Sequence, residues 1–171
     1  FFLNLVMAIN CAPATALLPA LANQFDESIQ WGGILILPVF ALLIAKTCGQ
    51  LLGPSLIQNK DFDQLVRRKW YIPICLAVFH IVYLVIFSLH NLYIILGLVV
   101  IAHIASNIVF ILGFYALRRY FSEEEIGTVS SVQHQSSIII MALSSLVAGW
   151  LVNVYGFYSL SFMAFTAWFV Y

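Results

Sequence analysis

The sequence predicts an all-α, polytopic membrane helix bundle. Three observations point there. The chain is 63% hydrophobic and only 8% charged, with a mean hydropathy of +1.02. It divides into six apolar runs near membrane-spanning length. Its bases gather in two of the five connectors between those runs. Soluble domains carry roughly a quarter charged residues, so this chain has too little charge to cover a soluble surface and its expected surroundings are a lipid bilayer. Seven bases balance seven acids, so no nucleic-acid partner is expected.

A helix that crosses a bilayer needs about 20 mainly apolar residues. The first segment, about 1–24, is interrupted by Asn4, Asn10 and Thr15 and contains Pro13 and Pro19. The second, about 31–57, contains Pro38 and ends at Gly53-Pro54. Each interior proline removes a helical hydrogen bond, so kinks are expected at residues 13, 19 and 38. The third, about 70–89, is broken only by His80 in "PICLAVFHIVYLVIF". The fourth, about 92–117, carries His103, Ser106 and Asn107. The fifth, about 123–152, opens with a capping box, Ser122 with Glu125. Its first acids, Glu123 to Glu125, suit the positive end of a helix dipole. The sixth runs from about 158 to Tyr171, roughly 21 Å of helix and too short to cross. It is expected to continue further, and a chain with both ends inside apolar runs reads as part of a longer protein.

Charge placement orients these spans. Lys60, Arg67, Arg68 and Lys69 lie between the second and third segments, and Arg118 and Arg119 between the fourth and fifth. The other three connectors contain no Lys or Arg. Two spans separate the basic connectors, so both face one side. The positive-inside rule makes loops 58–69 and 118–125 cytoplasmic. Cys11, Cys48 and Cys75 have no metal or redox spacing and read as small buried fillers. No metal ligand set and no cofactor is expected.

An ionisable group within hydrocarbon costs several kcal/mol and is expected to face a cavity or a partner. Lys46 carries the only charge of the second segment, about 15 Å from its inner end and beyond the reach of a snorkelling lysine. Gln50 follows at i+4, with Gly49 and Gly53 close to the same face. His103 and Asn107 are i,i+4 neighbours in the fourth segment, and His134 and Gln133 lie within "SSVQHQSS", 130–137, of the fifth. Asn10 belongs to the first. Counting along each helix puts Lys46, His103, His134 and Asn10 in one layer near the midplane. These seven residues, Lys46, Gln50, His103, Asn107, Gln133, His134 and Asn10, are the candidate binding residues. Structural roles stand beside that reading, because serines bond back to their own helix and amides join helices. On this distribution the first, second, fourth and fifth helices line a shared crevice, and the third and sixth face lipid. No G-x-S-x-G, P-loop or metal-spaced carboxylate cluster occurs, so an enzyme is not expected. Haem ligation is disfavoured, because no two helices supply paired histidines.

Three stretches carry a resemblance. "ALLPALANQF" (16–25) resembles the outer end of a first helix, and "GQLLGPSLIQNKDFDQLVRRKW" (49–70) resembles a degraded G-x-L-x-D-R-x-G-R-R loop. "RRYFSEEEIGTVSSVQH" with "LVAGWLVNVYGFYSLSF" resembles a final helix pair. Together they resemble the C-terminal six-helix half of a major facilitator superfamily transporter. That resemblance implies one half of a twelve-helix carrier whose N-terminal half is missing here, working on a small polar or anionic solute by alternating access about a midplane site. The equilibrative nucleoside transporters are a second resemblance, through "SNIVFILGFYALRRYFSEEEIGTV"; the D-x-x-G-R typical of their helix is replaced here at Lys46, Gly49 and Gln50. A non-transporting structural subunit of a membrane complex is the reading from another class.

Overall fold

The computed structural model describes residues 18–25, 28–31, 33–68, 70–156 and 159. Of the first segment the described helix is α1 (Leu18–Ala22), and the sixth, apart from Ser159, lies outside the described residues, as do Asn10, Pro13 and Cys11. Then come a hairpin of β1 (Ile29–Trp31) and β2 (Ile34–Ile36), and helices α2 (Pro38–Ile57), α3 (Phe62–Arg67), α4 (Tyr71–Ile86), α5 (Leu92–Tyr120) and α6 (Glu123–Tyr155). Three of these, α2, α5 and α6, are long and apolar enough to cross a bilayer, while α4 is a shorter apolar helix. The chain is therefore a largely α-helical membrane protein.

The hairpin corrects the start of the second segment. Trp31 and Ile34–Ile36 are strand rather than helix: Ile29 pairs with Ile36, Gln30 with Leu35 and Trp31 with Ile34. The glycine pair after Trp31 suits a tight hairpin turn, and Gly33 takes φ 82°, which a β-carbon disfavours. Helix α2 thus begins at Pro38, where a missing N–H costs nothing, so the kink expected at Pro38 does not arise. Pro54 sits in the last turn of α2, which ends at Ile57 as expected.

At the start of α6 the capping box forms as read: the Ser122 hydroxyl accepts from the Glu125 N–H, and the Glu125 carboxylate accepts from the Ser122 N–H. Asn91 caps α5 in the same manner, its Oδ1 accepting from Ile94 N–H at 3.2 Å.

Helices α2 and α5 pack along most of α2, and they run parallel. Gly49 abuts Val100 and His103, and one turn on Gly53 abuts Ile104 and Asn107. The buried edge of α2 explains the fit: Ala41, Ala45, Gly49 and Gly53 recur every four residues, a small-residue ridge that lets two backbones approach. Helix α4 also packs on α5. Its buried face is Leu76, Phe79, His80, Tyr83 and Ile86, while Ile74, Ile81 and Val85 stay exposed. It is thus not simply the lipid-facing helix expected from its few polar residues. Periodicity, which polar counts ignore, gives it one inward face.

Both basic connectors meet at one end, which we call the basic end. Arg119 Nη1 lies 2.9 Å from Asp63 Oδ1, and the Phe62 and Tyr115 rings meet edge to face at 5.4 Å. Both ion-pair partners are more than 40% exposed, so the pair adds little stability, but it fixes which segments adjoin. At the far end, Ala148 of α6 packs with Ala20, Phe87 and Val152. The core splits accordingly. A far-end cluster includes Leu21, Leu42, Phe79, Ile86, Ile95 and Val99, and a basic-end cluster joins Ile57, Leu65, Ile108 and Leu112. Cys48 is exposed and Cys75 half-buried, so neither is the fully buried filler expected. Both sit on helices that leave one face uncovered.

Candidate functional site

Between the two apolar clusters, α2, α4 and α5 place a layer of polar groups. His103 is its centre, only 2% exposed. Its Nε2 and the Tyr83 hydroxyl lie 2.8 Å apart, and the rings of Phe79 and Tyr83 stand nearly perpendicular to the imidazole at 6.0 Å. Gly49 closes over the histidine: a β-carbon there would stand 2.8 Å from His103 Cβ. Lys46, one turn nearer the far end and half-buried, is close enough for its charge to act on the imidazole. The Nδ1 of His103 is fully buried and makes no hydrogen bond among the described residues.

One turn towards the basic end, the Asn107 side-chain amide donates to the backbone carbonyl of Gln50. The sequence supplies the reason. In an α-helix the carbonyl of residue 50 accepts from the N–H of residue 54. Residue 54 is proline and has none. Pro54 therefore leaves a carbonyl open, Gly53 lets α5 come within reach, and Asn107 fills the vacancy. Membrane helices tolerate proline where a neighbour re-satisfies the freed group. Asn107→Ala is accordingly expected to cost about 1–3 kcal/mol, the penalty of a carbonyl left unpaired within a membrane-spanning helix. Adding Pro54→Ala restores a main-chain donor and should recover most of that loss. Thermal unfolding in detergent of the two single variants and the double variant checks both halves. Equal losses in Asn107→Ala with and without the second change would discard the account.

Tyr83 was not among the expected site residues, because its helix read as lipid-facing. The signal available was the spacing of Phe79, Tyr83 and Ile86 along one face. Tyr83→Phe removes only the hydroxyl. It should destabilise the protein by about 1–3 kcal/mol, because it strips a buried imidazole of a hydrogen-bond partner. The same thermal measurement reads it, and an unchanged midpoint would mean that the hydroxyl contributes nothing.

The seven expected residues divide. Lys46, Gln50, His103 and Asn107 come together at the α2–α5 contact, although Gln50 engages through its carbonyl and its side chain is exposed. Gln133 and His134 do not join them. Helix α6 buries only Ser144 and Ala148 among the described residues; His134 is exposed and Gln133 half-exposed. In the same polar stretch Ser136 bonds back to the Val132 carbonyl at 2.7 Å. Asn10 lies outside the described residues.

A separate cavity of about 400 Å³ opens at the far end, among Gln24, Phe25, Ser28, Ile29, His90, Asn91, Leu92 and Tyr93. None of the six expected residues within the described structure lines it. No group of three His, Cys, Asp or Glu that could hold a metal ion occurs among the described residues.

The fold and this layer define a helical membrane protein with a polar layer between two apolar clusters. Comparison with protein-family models, curated proteins and solved structures finds no match for this chain.

Proposed function

We propose that this chain belongs to a secondary active or facilitative carrier for a small polar or anionic solute. On this reading it forms one six-helix half of a major facilitator-type transporter, with loops 58–69 and 118–125 on the cytoplasmic side. One observation carries the proposal: Lys46, His103 and Asn107 share the middle of the α2–α5 contact, where hydrocarbon makes ionisable and polar groups costly. A protein that needed only to hold two helices together would have no use for an ammonium there. A carrier has one, because Lys46 supplies the positive potential that draws an anionic group to mid-depth. The glycine contact over His103 then represents a closed arrangement. Rocking of one half against the other is the movement that opens such a seam.

The test is uptake into proteoliposomes by the protein made from its complete reading frame. The panel comprises radiolabelled organic anions, amino acids, sugars and nucleosides. Saturable uptake of at least one class above protein-free vesicles is the expected result. Uptake confined to nucleosides would favour the equilibrative nucleoside carrier reading. No uptake of any class would overturn the carrier proposal in favour of a structural subunit.

A further inference from the structure

We propose that the basic end of the bundle is a binding surface for the headgroups of anionic phospholipids, formed by Lys60, Arg67, Arg68 and Arg118 between the exposed rings of Trp70 and Tyr120. It requires a bilayer around the protein and is independent of the carrier reading.

The argument rests on which charges are already committed. Every described Lys and Arg except Lys46 lies at this end, beside five acids: Asp61, Asp63 and Glu123 to Glu125. Three of those acids have internal duties. Asp61 caps α3 by accepting from the Gln64 N–H at 3.2 Å. Asp63 pairs with Arg119. The Glu125 carboxylate accepts from the Ser122 N–H at 3.1 Å and hydroxyl at 2.9 Å. Glu123 and Glu124 remain, in the first turn of α6 where the helix dipole favours them. Among the described residues Lys60, Arg67, Arg68 and Arg118 are exposed and make no ion pair. A balanced count of charges therefore conceals a surplus of unengaged cations at this end.

Tertiary structure assembles that surplus. Leu65 is buried against Ile57, Ile108 and Leu112, and this fixes α3, with Arg67 in its last turn, beside the end of α5. The Asp63–Arg119 pair draws the two connectors together, so Arg118 lies at the same end as Lys60, Arg67 and Arg68. Trp70 is 77% and Tyr120 80% exposed at the same end. Amphipathic rings in that position belong at headgroup depth in a bilayer. Guanidinium groups bind phosphate oxygens in bidentate fashion, and basic clusters just beyond spanning helices attract anionic lipid. Bound phospholipid, rather than free phosphate, suits a surface whose cations are flanked by membrane-seeking rings.

The protein, purified in neutral detergent, would be offered phosphatidylglycerol or phosphatidylcholine, and retained lipid counted by native mass spectrometry. Phosphatidylglycerol should be retained preferentially, and the preference should weaken as salt rises. A variant combining Arg67→Gln, Arg68→Gln and Arg118→Gln should retain it about a hundredfold less, the combined loss of three basic contacts. Should that variant fold poorly, Glu123→Gln with Glu124→Gln tests the same idea by removing the uncommitted acids, and should raise retention. Equal retention of both lipids overturns the proposal, as does a triple variant that retains phosphatidylglycerol unchanged. Displacement of the lipid by inorganic phosphate at equal concentration would assign the surface to free anions and overturn it too.

Discussion

Gly49→Ala is expected to destabilise the bundle more than any other single-methyl change in the described helices. The added carbon would stand 2.5 Å from the Val100 carbonyl oxygen and 2.8 Å from His103 Cβ. The first of these is main chain, so no rotamer change relieves it. Helices α2 and α5 must separate, which disturbs the Asn107–Gln50 bond and the packing around His103. Overpacking of this kind costs about 1–3 kcal/mol, and the backbone contact puts this case at the upper end. Gly53→Ala should cost less, since its closest approaches would be 3.1 Å and 3.2 Å. Gly97→Ala is the control. It lies in α5 with nothing within 4 Å of the new carbon, and alanine is the better helix former by about 1 kcal/mol. The measurement is the unfolding midpoint of all three variants in one detergent. If Gly49→Ala proved as stable as Gly97→Ala, the tight α2–α5 contact would be wrong.

Lys46→Met is expected to separate stability from transport. Methionine keeps most of the side-chain volume and drops the charge. A lysine near the centre of a spanning helix costs about 3 kcal/mol on insertion scales, so its loss should leave the unfolding midpoint unchanged or raise it. On the carrier reading, uptake of the solute class identified in proteoliposomes should fall at least about tenfold, equivalent to about 1.4 kcal/mol of lost interaction. Lys46→Arg should keep part of it, because the charge remains. A structural role predicts the reverse pattern, with stability lost and uptake per folded molecule kept. Normal uptake by Lys46→Met would remove the residue from the site.

Much of this architecture was legible because a membrane imposes simple accounting. Helix α5 was expected over about 92–117 and spans Leu92–Tyr120, and α6 was expected over about 123–152 and spans Glu123–Tyr155. Long apolar runs with capping residues and charges at their ends permit little else. The hairpin at 29–36 was missed because its apolar residues continue without a break into α2, and hydropathy does not distinguish a β-branched strand pair from a helix. The glycine pair was the available clue. The polar seam was half legible. Spacing along one helix identified Lys46 with Gln50, and His103 with Asn107. It did not identify Tyr83, whose role exists only because α4 and α5 meet at that height. It also grouped His134 with the others by depth alone, and depth says nothing about the direction in which a side chain points.

The sequence by itself determined that this is a membrane protein, where its longest helices run, and that its bases gather in two connectors. Those properties follow from the energy of each segment in hydrocarbon or water, which depends on local composition alone. Only the tertiary structure decided that the small-residue ridge of α2 faces α5, that Asn107 supplies the hydrogen bond Pro54 cannot, and that Tyr83 holds His103. These depend on the distance between helices, which is set by side-chain volume on two surfaces at once and is written in no single stretch of chain.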